Sequence, residues 1–182
     1  MCFGCASKIR PHPISFDIDG VRVLSYVQYD DHISQLLIQY KEHRDEALAP
    51  LFFEPIKKSI LKKFKGYSLV PLPSSKEKVE QRGFHHLHRM IEPLALTVSD
   101  VLVKSKNVKQ AKMTREEREH IDQIFEINIV ENDFLDRVLL IDDVCTTGSS
   151  MRAAIRLLRP HCSVLKAITF AYHPLWVQQK QD

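Results

Sequence analysis

No apolar run of about 18 residues, the length a membrane-spanning helix needs, occurs in this chain of 182 residues. Its first residues also lack the apolar core of a secretory signal. Both absences set the expectation of a cytoplasmic protein without membrane insertion. The cysteines are only four, Cys2, Cys5, Cys145 and Cys162, and they do not make a disulfide framework. Cys2 and Cys5 have zinc-knuckle spacing, but a structural site takes four ligands and no second pair follows. His12 as a third ligand would leave the tetrahedron incomplete, so zinc is not expected. Cys145 and Cys162 read as packing residues. Missing too are the Gly-x-x-x-x-Gly-Lys loop, the Gly-x-Gly-x-x-Gly fingerprint, the Gly-x-Ser-x-Gly elbow and the His-Glu-x-x-His zinc helix. Kinases, ATPases, dinucleotide enzymes and hydrolases of those designs are thereby disfavoured. A net charge of +3 is too mild to announce nucleic-acid binding by itself, and no aromatic stacking platform is evident.

What is present has the balance of an ordinary globular protein, with 44% hydrophobic and 27% charged residues and enough length to bury a core. The most informative stretch runs from Val138 to Ser150. Four apolar residues, Val138 to Ile141, read as a buried strand that ends in two carboxylates, Asp142 and Asp143. The loop Cys145-Thr146-Thr147-Gly148-Ser149-Ser150 follows, and Met151, Ala154, Ile155 and Leu158 then recur at helical spacing. A strand, a small hydroxyl-rich loop and a helix N-terminus point several N–H groups one way and add the positive end of the helix dipole. That combination reads as an anion site, for phosphate. The paired acids could take a metal ion or the vicinal hydroxyls of a ribose.

Ile14 to Ile18 and Val21 to Val27 form a hairpin pattern around Asp19-Gly20. Residues 1–30 are thus expected to be a small knuckle-like and hairpin subregion, and 31–182 the main domain. Ile33, Leu36, Leu37 and Tyr40 mark an amphipathic helix, and a second helical stretch from Glu46 to about Lys65 should kink at Pro55. Its five lysines between Lys57 and Lys65 are either a solvated face or an anionic-partner patch. Tyr67 to Pro71 reads as a strand, with Leu72-Pro73-Ser74-Ser75 leaving it. Lys76 to Gln81 reads as exposed, with Arg82-Gly83-Phe84 opening a helix through Leu87, Met90, Ile91 and Leu94. His85, His86 and His88 are badly spaced for a metal and read as solvent-facing or phosphate-contacting. Asp100 to Val103 is a third strand, running into a lysine-rich loop from Lys104 to Lys112 that is either a plain connection or a lid. Thr114 with Glu117 is a capping-box helix start. Phe125 to Ile129 and Val164 to Ala171 complete the strands. The order of elements argues an α/β fold, a mostly parallel sheet flanked by helices.

The segment Val138 to Ser150 resembles the phosphoribosyl-pyrophosphate signature of type I phosphoribosyltransferases. Val70-Pro71-Leu72-Pro73, Arg82-Gly83-Phe84, Gln110 with Arg118, and Phe125 stand in the order found in the ComF-type competence proteins of that fold, which take part in DNA uptake and natural transformation. The resemblance implies a type I phosphoribosyltransferase-like fold and phosphoribosyl pyrophosphate as ligand. It also implies Mg²⁺ near Asp142 and Asp143, with those acids receiving the ribose hydroxyls. It assigns Thr146, Thr147, Gly148, Ser149 and Ser150 to the 5′-phosphate, Ser74 and Arg82 to the pyrophosphate, and Lys104 to a lid. Phosphoribosyl transfer to an unnamed acceptor is one implied function; a non-catalytic module contacting single-stranded DNA and competence proteins is the other. The chain departs from the family at His85 and His86, where Asn and Gln are usual, at Asn107 for Thr, at Ile121 for Asn, and in its single Cys pair.

Overall fold

The computed structural model describes residues 9–104, 125–128 and 135–178. Cys2 and Cys5, the loop residues after Lys104, Gln110, the helix start at Thr114, Arg118 and Ile121 lie outside the described residues. Ile14–Ile18 is β1 and Val21–Gln28 is β2. Helix α1 spans Asp31–Lys41, its first turn capped by the Asp30 carboxylate accepting from the Ile33 N–H at 2.8 Å. Ile33, Leu36, Leu37 and Tyr40 are its buried face, as their spacing predicts. The expected long helix after Glu46 is instead broken. Helices α2 (Pro50–Phe53) and α3 (Lys57–Lys63) are joined and preceded by short 3-10 turns. Pro50 and Pro55 each remove a helical N–H donor, so the path restarts at both.

Strand β3 is Ser68–Pro71. A correction follows it: Lys76–Arg82 is itself a helix, α4, and Arg82 ends it instead of opening the next. Ser75 caps its N-terminus and Gly83, at φ 88°, closes it in the left-handed region. Helix α5 then runs His86–Ile91. A second correction concerns the expected third strand: β4 (Leu102–Lys104) pairs antiparallel with β5 (Phe125–Ile127) in a separate ribbon. Strand β6 spans Leu135–Cys145, α6 Ser149–Leu158, β7 Cys162–Tyr172 and α7 Leu175–Gln178.

Among the described residues, five strands make the main sheet in the order β1-β2-β7-β6-β3. β2, β7, β6 and β3 are mutually parallel, and only the β1–β2 hairpin is antiparallel. The hairpin is therefore the sheet's edge, tied to β7 by a ladder from Val23–Ala167 to Gln28–Tyr172. β6 lies inside the sheet between β3 and β7, and its residues Val138 to Ile141 are completely buried. Burying a side chain of that size stabilises by about 1.5–3 kcal/mol.

Aromatic rings fix the helices to the sheet. Phe52 meets Phe170 of β7 at 5.1 Å, and Tyr40 meets Phe52 at 5.0 Å and Phe84 at 5.4 Å. Elsewhere, Phe16 stacks on Trp176 at 4.4 Å. Arg152, Arg156 and Arg159 converge on Asp19 in the hairpin turn, holding β1–β2 against α6 and its end. Among the described residues no helix is long and apolar enough to cross a membrane.

Candidate functional site

Asp142 and Asp143 do not follow the strand but belong to it, since β6 continues to Cys145. Successive side chains of a strand point to opposite faces. Asp143 meets the helical layer of α1 and α5. There the Lys41 ammonium is in direct ion-pair contact with Asp143 Oδ2, and His86 Nε2 lies 3.1 Å from the same oxygen. Asp143 Oδ1 accepts the Val144 N–H at 2.7 Å. Burial alone would raise this carboxyl, but the ammonium and the imidazole hold it far below the usual range. Asp142 is driven the other way, well above the usual range, by burial first and then by the charge on Asp143. The pair therefore divides its roles, with Asp143 anionic and Asp142 the one that retains a proton more readily.

His86 is held at three points. Its Nδ1 lies 3.2 Å from Ser74 Oγ, its Nε2 faces Asp143, and its carbonyl accepts the Tyr40 hydroxyl at 2.7 Å. Burial first, opposed by Asp143, lowers the ring's proton affinity, so the neutral form is favoured. Next to an anionic carboxylate the proton belongs on Nε2, which donates to Asp143 while Nδ1 accepts from Ser74.

Beyond β6, Thr146, Thr147 and Ser149 are exposed, Ser150 is half-buried and Gly148 is buried. Thr147 Oγ1 and Ser149 Oγ are 3.1 Å apart, and α6 begins directly after Gly148. The first N–H groups of a helix lack partners within it, so the loop presents donors and hydroxyls together. Gly148 has φ 77°, and a Cβ there would stand 2.9 Å from the Trp176 ring and 3.0 Å from Ile18. Only glycine fits both the backbone and the space. The Trp176 indole N–H donates to the Thr146 carbonyl at 2.7 Å, fixing the loop from the other side.

The acids, the loop Thr146 to Ser150 and Ser74 are thus brought to one end of the sheet, Ser74 through His86 and Asp143. Arg82 is placed differently: its Nε donates to the Lys41 carbonyl at 3.0 Å and its Nη2 lies 3.6 Å from Glu42. Lys104 ends the β4 ribbon and is half-buried. Two participants were not anticipated. Lys41 stands four residues after Leu37 on the buried side of α1, which is the signal that could have found it. The structure corrects the surface reading of His86, which is only 8% exposed. It falls where the resemblance places an amide, itself a hint of a buried polar partner.

The donor set at the acids suits a hard divalent cation, being carboxylate oxygen without thiolate. No larger group of metal-ligating side chains occurs among the described residues.

A parallel-centred sheet with paired acids on an interior strand and a hydroxyl-rich loop opening the next helix is the arrangement of an open α/β sheet, in which ligands bind beyond the carboxyl ends of the strands. Residues 79–175 match the family model described as the phosphoribosyl transferase domain, and the chain belongs to that family. It is 31% identical over 136 residues to the competence protein ComFC of Bacillus subtilis, and 27% identical over 139 residues to that of Streptococcus pneumoniae. These alignments cover 74% and 76% of this chain but 56% and 62% of the relatives, so the chain spans little more than half their length. A crystal structure of an adenine phosphoribosyltransferase has the same fold, with TM-score 0.52 and 17% identity over 98% of this chain and 95% of that one.

Proposed function

We propose that this protein binds phosphoribosyl pyrophosphate at the end of β6. The carrying observation is a buried acid pair set on the strand that leads straight into a donor-rich loop at the head of a ten-residue helix. In this reading the 5′-phosphate lies in the loop Thr146 to Ser150, and the ribose hydroxyls donate to the acids. Lys41 and His86 keep Asp143 anionic and oriented as an acceptor. Ser74, fixed by His86, faces the pyrophosphate from its own loop. Mg²⁺ would attach through its water shell to Asp142, whose carboxyl would give up the proton it otherwise retains, because the Asp143 oxygens already receive Lys41, His86 and the Val144 N–H. When bound, the ion would supply charge neutralisation at the leaving pyrophosphate.

Transfer of the phosphoribosyl group would displace pyrophosphate from C1, and stabilising that charge separation is work for cations and fixed dipoles. The names of the two relatives support a role in competence; work in the cytoplasm on DNA uptake belongs to the same proposal. Calorimetry with phosphoribosyl pyrophosphate and Mg²⁺ tests the pocket. Heat is expected for the native protein and its loss for the Asp142→Asn/Asp143→Asn variant; no heat, or equal heat in both, contradicts the assignment.

A second reading, contact with single-stranded DNA, is favoured by the exposed Lys58, Lys62, Lys63 and Lys65 on and after α3. Affinity for single strands should then fall steeply with salt, and an affinity indifferent to salt counts against it.

A further inference from the structure

Lys41 stands in the last turn of α1, where a basic side chain ordinarily faces solvent and complements the negative end of the helix dipole. Here it turns inward, its side chain only 21% exposed, and is in direct ion-pair contact with Asp143 Oδ2. Two cross-links hold that end of the helix. The Tyr40 hydroxyl donates to the His86 carbonyl at 2.7 Å, and Arg82 Nε donates to the Lys41 carbonyl at 3.0 Å. The Tyr40 ring also packs on Phe52 and Phe84. The ammonium is thereby a fixture of the acid site, unlike a freely moving surface charge.

A hard divalent cation takes several oxygen ligands that converge on one point. Asp143 has little to offer it: Oδ2 receives Lys41 and His86 Nε2, and Oδ1 receives the Val144 N–H. One oxygen of the neighbouring acid is engaged as well, since Asp142 Oδ1 accepts the Asp143 N–H at 2.9 Å. The Lys41 charge already lies against the buried carboxylate, so an incoming ion would meet like charge at contact range. The ammonium of α1 thus takes the place that a metal would take at Asp143.

We infer that Lys41 is a resident cation standing in for a divalent ion at Asp143, so that the free protein holds no such ion at the acid pair and the pair receives the vicinal hydroxyls of a sugar phosphate without one. Receipt of the sugar rests on the pocket proposed for phosphoribosyl pyrophosphate; exclusion of the free ion does not. An ion arriving on pyrophosphate oxygens brings ligands of its own and is a different case.

Mn²⁺, a hard cation whose unpaired electrons broaden nearby amide signals, tests the exclusion in ¹⁵N-labelled protein. No saturable broadening is expected at residues 86 and 142–145 of the native protein. Lys41→Met frees Asp143 Oδ2 and should bind Mn²⁺ there at least about tenfold more tightly, because one like charge is gone. Excess Mg²⁺ should reverse that broadening, and Lys41→Arg, which keeps the charge, should behave as the native protein. A lysine that merely supports the fold would lower the melting temperature in Lys41→Met without creating a metal site. That outcome overturns the inference, and so does saturable Mn²⁺ binding at 142–145 in the native protein, a result for which no variant has to fold. Calorimetry with ribose 5-phosphate tests receipt of the sugar. The native protein should show the same affinity in EDTA and in Mg²⁺, whereas Lys41→Met should require Mg²⁺; a native affinity that vanishes in EDTA overturns metal-free binding. No heat in either buffer sinks the pocket reading, and the Mn²⁺ result still decides the role of Lys41.

Discussion

His86 Nε2 lies 3.1 Å from Asp143 Oδ2, and the ring is only 8% exposed. This contact joins residues 57 positions apart and makes a helix N-terminus part of the acid site. Replacing His86 by Leu removes the donor from a buried carboxylate and should lower stability by about 1–3 kcal/mol in urea unfolding. His86→Gln keeps an N–H donor and should recover most of that loss. Equal destabilisation by Leu and Gln would mean that packing, not the hydrogen bond, sets the value of this position.

The two adjacent acids should respond to amidation with opposite signs. Asp143 is held far below the usual range, so its contribution is present above the unfolded-chain value and is lost as pH falls through and below about 4. Asp142 is raised, so its contribution is present at low pH and is lost as pH rises through its folded value. Asp143→Asn should therefore destabilise at neutral pH, by about 1–3 kcal/mol, and flatten the acid limb of the stability curve. Asp142→Asn should raise the melting temperature at neutral pH. Melting curves of both variants between pH 3 and 8 decide the matter.

Gly148→Ala should cost stability through both the left-handed backbone and the contact with Trp176, about 1–3 kcal/mol in total. Because the loop turns on this residue, ligand affinity should fall with it. Denaturant unfolding paired with calorimetry of phosphoribosyl pyrophosphate gives both readouts. A variant of unchanged stability would show that the ring moves aside freely.

Trp176 is the chain's single tryptophan, and its N–H is bonded to the Thr146 carbonyl. Filling the loop should change its emission with an amplitude that saturates. Trp176→Phe should abolish that signal and loosen the loop, since the indole donor is lost. Fluorescence titration with ribose 5-phosphate measures this without any turnover.

Local pattern alone determined a good part of this molecule. The apolar run at Val138 to Ile141, the Thr-Thr-Gly loop and the helical spacing after it are encoded within a few residues, so the strand, the loop and α6 were legible directly. The α1 face and the Asp19-Gly20 hairpin were legible for the same reason. Boundaries governed by single caps were not: Ser75 and Gly83 make a helix, α4, of a stretch read only as exposed, and make Arg82 its end.

Tertiary structure alone decided who meets the acids. Lys41, Ser74 and His86 are scattered over the chain and become neighbours of Asp143 only when α1, the loop after β3 and α5 close over the end of β6. A sequence shows that a carboxylate is present, but its charge state depends on burial and on partners brought from afar. For that reason the two acids look alike in the sequence and behave oppositely in the fold.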